Sequence, residues 1–127
     1  MRKIDYEVII PGWLPTENDY IKENRANPYK GAKFKRKYQN LCICFIKSQL
    51  RNVKITRPVQ LNYTWFEKDK RRDLDNIAGF GHKIIQDALV EAGVLQNDGW
   101  DEIYHFTDMF LVDKKNPRIR LVIHEKE

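Results

Sequence analysis

Residues 59–93 read VQLNYTWFEKDKRRDLDNIAGFGHKIIQDALVEAG, and they carry the two periodicities that set the fold. Val59, Leu61, Tyr63 and Trp65 alternate with polar or small neighbours. That two-residue period, rich in aromatics, predicts a strand over Val59–Phe66. Beyond a charged connection, Ile77, Phe80, Ile84, Ile85, Ala88, Leu89 and Ala92 recur at helical spacing. They predict a helix over 76–92 that Gly93 closes as a left-handed C-terminal residue. Strand, charged connection and helix, all within one stretch, imply a sheet with helices packed on it.

Outward from this unit the chain predicts four more elements. Ile4–Ile10 alternates loosely and ends at Pro11, a first strand. Residues 11–31 hold Pro11, Gly12, Pro15, Asn18, Asn24, Asn27, Pro28 and Gly31, which reads as a long polar loop. Residues 32–51 lack Gly and Pro and repeat Tyr38, Leu41, Cys42, Phe45, Ile46 and Leu50 at helical spacing. After the loop through Asn97, Asp98 and Gly99, strands are expected at Glu102–Val112 and Arg118–His124, joined by a turn at Lys114–Pro117. The order is β-α-β-α-β-β: one α+β domain over residues 1–127, with a mixed sheet and two helices on it.

Composition narrows the function classes. The 127 residues are 42% hydrophobic and 32% charged, as in an ordinary globular protein. No apolar run reaches the ~18 residues of a membrane span, and the start lacks the apolar core of a signal peptide, so the expected location is the cytoplasm. Cys42 and Cys44 read as buried free thiols. The net charge is +5, and its distribution is uneven. From residue 22 to 57 the cations include Lys33, Lys35, Arg36 and Lys37, and Glu23 is the one acid. Acids concentrate at 73–108 instead. A basic surface beside a separate acidic pocket suits a polyanionic partner.

The connection itself carries the chemistry. Lys70, Arg71 and Arg72 run directly into Asp73, Leu74, Asp75 and Asn76. Two carboxylates that close repel unless a cation lies between them, and a hard divalent ion takes such oxygen ligands. Helix capping is the alternative use for an aspartate in this position. Asp98 lies beyond a helix roughly 25 Å long. It joins the pair only if its loop folds back or a second subunit supplies it. Lys83 shares a helix face with Asn76 and leans toward the helix N-terminus. Gly79 and Gly81 inside the helix predict a close neighbour there. Asp101, Glu102 and Asp108 read as solvated acids. Phe66 and Trp100 are candidates for stacking on unpaired bases, with a place in the core as the alternative.

Lys70 to Asn76, then Lys83, then Asp87 to Val94, then Asn97-Asp98, together resemble the RusA family of Holliday junction resolvases, small and often prophage-encoded endonucleases. The likeness covers residues 65–103 and extends more loosely to Pro15-Thr16-Glu17-Asn18. It implies Asp73, Asp75 and Asp98 as ligands of Mg²⁺ or Mn²⁺, with Lys83 assisting catalysis. It implies a homodimer that cuts four-way DNA by paired, symmetric nicks in recombination and repair. Lys70, Arg71, Arg72, Lys33, Lys35, Arg36 and Lys37 are the expected phosphate contacts. Two departures stand out: Asn97 replaces an acid, and Lys83 lies one helical turn later than in some members. A nuclease for flaps or forks, or a non-catalytic module for structured DNA, are the rival readings.

Overall fold

The structure, a computed structural model, describes residues 5–127. Ile4 and the start of the chain, read above as strand and as lacking a leader, lie outside the described residues. The elements are β1 (Asp5–Pro11), α1 (Glu17–Ala26), α2 (Pro28–Gln49), β2 (Val59–Glu67), α3 (Leu74–Glu91), β3 (Ile103–Val112) and β4 (Arg118–Glu125). They form one α+β domain around a four-stranded sheet of order β1-β4-β2-β3. The β1–β4 and β4–β2 pairs are antiparallel, whereas β2 and β3 are parallel. The sheet is therefore mixed, and α3 is the crossover between its parallel strands.

Two-residue alternation sorts the sheet into a buried and an open face. Val8 and Ile10, Val59, Leu61, Tyr63 and Trp65, and Ile119, Leu121 and Ile123 are buried. Ile77, Phe80, Ile84, Ile85, Ala88 and Leu89 of α3 pack onto them, with Cys42 and Ile46 of α2. The close neighbour that Gly81 required is the Trp65 ring: a Cβ there would stand 2.3 Å from the indole. Gly79 is less confined, its nearest outside atom being a Glu17 carboxylate oxygen at 3.5 Å.

One expected loop is a helix. Residues 17–26 form α1, which buries no residue. It therefore shows no full apolar stripe; Tyr20 packs on the core, its ring 5.5 Å from that of Phe80, and caps fix the helix start. Thr16 and Asp19 make a reciprocal capping box, Asp19 N–H to Thr16 Oγ1 at 3.2 Å and Thr16 N–H to Asp19 Oδ2 at 2.9 Å. Asn27 caps α2 through the Tyr29 N–H at 2.8 Å, with Pro28 in the first turn. Both signals are present in the sequence, and both were outweighed by the density of Pro, Asn and Gly. Cys44 also departs from expectation. It is exposed, whereas Cys42 is buried and its thiol is pushed up to about 12 by burial.

The two sheet edges differ. At β1 the Gln49 side chain blocks the edge at one position: Ile9 N–H donates to Gln49 Oε1 at 2.8 Å, and Gln49 Nε2 donates to Ile9 O at 2.7 Å. Among the described residues β3 pairs only with β2. Tyr104, Phe106, Met109, Leu111 and Val112 stand exposed along it. An open apolar edge is a pairing surface unless something covers it.

Candidate active site

The segment between β2 and α3 is built around Arg72. Its Nε and Nη2 donate to the two oxygens of Glu67 at 2.8 and 3.1 Å, and its Nη1 donates to Leu14 O at 2.7 Å. One half-buried guanidinium thus ties the end of β2, the β1–α1 loop and the start of α3 together. Sequence reading assigned Arg72 to phosphate and overlooked Glu67, because a five-residue spacing in irregular backbone has no periodicity to reveal it.

Asp73 is the N-cap residue of α3, yet its side chain makes no capping hydrogen bond. The cap is made by backbone, Ile77 N–H donating to Asp73 O at 3.0 Å. Asp75 lies in the first turn, and its Oδ1 accepts the Asn76 N–H at 3.0 Å. Both carboxylates are exposed. Simple capping thus does not account for the Asp73 side chain, and Asp75 gives one oxygen to a first-turn N–H, while carboxylate charge at a helix N-terminus is favoured by the helix dipole. Lys70 and Arg71 stand exposed just before them, Arg71 with Asp69 at 3.7 Å as its nearest acid. Leu74, between the two aspartates, is 55% exposed.

Lys83 is exposed on α3 and makes no ion pair with the described residues. His82 has the opposite role. Its Nε2 lies 2.7 Å from Asp108 Oδ1, which also accepts the Trp65 indole N–H at 2.8 Å. The His82 ring packs 4.5 Å from that of Tyr63, whose buried phenol is pushed well above its ordinary value by desolvation and accepts from Gln86 at 3.2 Å. Asp108 is therefore a half-buried anchor between β3 and α3, where a solvated acid was expected.

Asp98 does not meet Asp73 and Asp75 within the chain. Asp73 follows the C-terminal end of β2, and Asp98 precedes the N-terminal end of its parallel neighbour β3. The 18 residues of α3 lie between, about 27 Å of helix at ~1.5 Å per residue. The intervening loop does not fold back: Ile103 N–H donates to Gly99 O at 3.0 Å, and Glu102 Oε1 accepts the Gly99 N–H at 3.1 Å. Accordingly, no group of three His, Cys, Asp or Glu among the described residues is close enough to hold a metal ion. The donors nevertheless suit one, since the hard, exposed carboxylate oxygens of Asp73 and Asp75 are what Mg²⁺ or Mn²⁺ accepts. Asp73 and Asp75 make an incomplete set that a third carboxylate would complete. Asp98 borders a 480 Å³ cavity with Gln86, Trp100, Tyr104 and Phe106.

The basic cluster on α2 divides by helical face. Lys35 pairs with Asp87 at 3.3 Å. Arg36 holds both oxygens of Glu91 at 2.8 and 2.7 Å, and Gln39 adds a third bond at 2.7 Å. The Arg36 hydrogen bond holds the Glu91 carboxyl below the usual glutamate range, and the same pairing raises Arg36. Lys33 and Lys37 point outward instead. Of the seven cations expected on phosphates, Lys35, Arg36 and Arg72 are engaged within the protein, and Lys33, Lys37, Lys70 and Arg71 are presented to solvent.

An α+β fold that sets two exposed carboxylates and exposed cations at one helix start defines a small enzyme built to handle phosphodiesters. The chain belongs to the endodeoxyribonuclease RusA family, whose model matches residues 11–124. It is thus a nuclease of a family that acts on Holliday junctions. The match extends well beyond residues 65–103, on which the likeness was first read. No curated protein matches the chain. Among the described residues, no helix is long and apolar enough to cross a membrane.

Proposed function

We propose that the protein is a Mg²⁺- or Mn²⁺-dependent endodeoxyribonuclease that resolves four-way DNA junctions by paired, symmetric nicks, in recombination and repair. The observation that carries this reading is that the Asp73 side chain makes no capping bond, which leaves it exposed with Asp75 beside Lys70 and Arg71. Asp73 and Asp75 of one protomer, with Asp98 of a second copy, hold the ion. When bound, it supplies a Lewis acid for the scissile phosphate and an activated water. Lys83 leans toward the same end of α3 and stabilises charge developing on the phosphate. Lys70, Arg71, Lys33 and Lys37 grip the flanking backbone without reading base sequence.

The separation of Asp98 from Asp73 and the open β3 edge favour a homodimer paired through β3. Gln49 occupies β1 at Ile9, whereas no side chain is bonded to the β3 backbone among the described residues, and β3 is the more apolar edge. Two β3 strands paired antiparallel about a two-fold axis bring the start of each to the end of the other. Asp98 of one copy then approaches Asp73 and Asp75 of its mate. The surfaces agree with this arrangement. Trp100, two residues from Asp98, is 97% exposed. At the opposite end of β3 lies a 530 Å³ cavity lined by Leu74, Ile77, Phe110, Leu111 and Val112. In the dimer, each Trp100 fills the cavity of the other copy.

The test is a labelled four-way junction, with and without Mg²⁺, and with cuts mapped on all strands beside flap and fork controls. Wild type is expected to make symmetric paired nicks only with metal. Asp75→Asn is expected to bind the junction and not cut it. Preferred cutting of flaps or forks would replace the junction reading, and binding with no metal-dependent cleavage would reduce the protein to a DNA-binding module.

A further inference from the structure

The β1–α1 loop holds one of the three tryptophans in a position that the mechanism above does not use. Trp65 is 1% exposed, whereas Trp13 is 49% exposed. Trp13 is not on a loose segment. Gly12 N–H donates to Pro117 O at 2.9 Å, and Gly12 takes φ +79, a conformation that suits glycine. Leu14 is buried, and its carbonyl receives Arg72 Nη1. Thr16 is buried and locked in the capping box of α1. Anchored on both sides, the loop holds the indole outward.

We propose that Trp13 is a stacking platform for an unpaired nucleobase of the DNA substrate, next to the Asp73–Asp75 pair. The proposal rests on the reading of the protein as a nuclease for branched DNA, whose branch points offer bases free of pairing. The indole lines two cavities. One, of 330 Å³, is formed with Pro15, Lys22, Phe34 and Tyr38, and the other, of 200 Å³, with Lys68, Asp69 and Arg71. Both have room beside an aromatic surface. Lys68 Nζ lies 4.8 Å from the ring centroid, and Lys68 and Arg71 are exposed. A π-face flanked by cations is the arrangement that holds single-stranded nucleic acid: the ring takes the base and the cations take its phosphates.

Four acids lie around the indole: Asp19 and Glu23 line the larger cavity beside Lys22, and Asp69 and Glu67 line the smaller one beside Lys68 and Arg71. Asp19 Oδ2 is occupied by the Thr16 N–H, so the cationic, and the proposed phosphate-facing, side is that of Lys68 and Arg71. Glu67 is bound by Arg72, and Asp69 Oδ1 accepts the Arg71 N–H at 3.0 Å. The platform is also linked to the carboxylates through Arg72. Trp13 adjoins Leu14, Leu14 O is bonded to Arg72, and Arg72 adjoins Asp73. A nucleotide stacked on Trp13 would therefore fix the position of the neighbouring phosphodiester relative to Asp73 and Asp75.

The test uses the full chain without divalent metal and a four-way junction carrying 2-aminopurine at the branch. Wild type is expected to quench the 2-aminopurine on binding. Trp13→Ala is expected to lose the quenching and to bind the junction about 5- to 150-fold more weakly, with an unchanged salt slope. Trp13→Phe should keep most of both, and Lys68→Ala should lower the salt slope by about one. Binding to plain duplex, which offers no free base, should be equal for Trp13→Ala and wild type, which separates lost stacking from misfolding. Trp13→Ala that quenches and binds like wild type overturns the proposal. Should wild type fail to prefer junctions over duplex, the branched-DNA reading fails. A single strand carrying 2-aminopurine then decides the platform: quenching by wild type alone sustains it, and no quenching by wild type overturns it.

Discussion

Mixing two inactive variants distinguishes a site shared between protomers from one built within a single chain. Asp75→Asn and Asp98→Asn each remove one proposed ligand while keeping the shape of the side chain. Ligand oxygens lie about 2.0–2.6 Å from such an ion, and α3, with 18 residues, separates the two positions by about 27 Å. One chain therefore cannot supply both. In a heterodimer of the two variants, one shared site has lost both ligands and the other is intact. Random reassortment of equal protomers makes about half of the dimers heterodimers, each with one working site of two, so about a quarter of the wild-type sites return. The separate variants should each be at least about 10²-fold slower than wild type. A supercoiled plasmid that extrudes a cruciform provides the assay. Wild type linearises it by paired nicks, whereas the mixture should yield nicked circles. If each chain held its own complete site, every heterodimer would be inactive. No activity from a mixture whose protomers demonstrably exchange would refute the shared site.

Four further outcomes follow from the geometry. Arg72→Ala should lower stability by about 2 kcal/mol, since it removes charged hydrogen bonds to a half-buried Glu67, and the loss will show in chemical denaturation. Gly81→Ala drives a methyl into the buried Trp65 ring and should destabilise by about 1–3 kcal/mol, while Gly79→Ala, whose nearest outside atom is at 3.5 Å, should gain up to about 1 kcal/mol of helix propensity; melts of the pair check the sign. Lys83→Ala should slow single-turnover cleavage by about 10²-fold or more with junction affinity largely kept. The Glu91 carboxyl is held low by Arg36, so its contribution to stability is present above the ordinary glutamate range and is lost as pH falls through the depressed folded value. Glu91→Gln should flatten that part of the acid unfolding profile.

Much of this protein is legible without coordinates. Alternation over Val59–Trp65 and helical recurrence from Ile77 to Leu89 define β2 and α3, because side-chain period follows directly from backbone geometry. The local run Lys70–Asn76 likewise brings two carboxylates and a row of cations to one helix start. Helix α1 escaped detection, since it fully buries no residue and so has no apolar period: Tyr20 alone packs on the core, and caps set its start. Pairing is not a local property either. Only the folded chain assigns Arg72 to Glu67 and Leu14, turns Lys35 and Arg36 toward α3, and gives Asp108 to His82 and Trp65. Asp98 marks the boundary most clearly. Its residue type was readable from sequence, but its separation from Asp73 depends on β2 and β3 being parallel, which sets the two aspartates at opposite ends of the sheet.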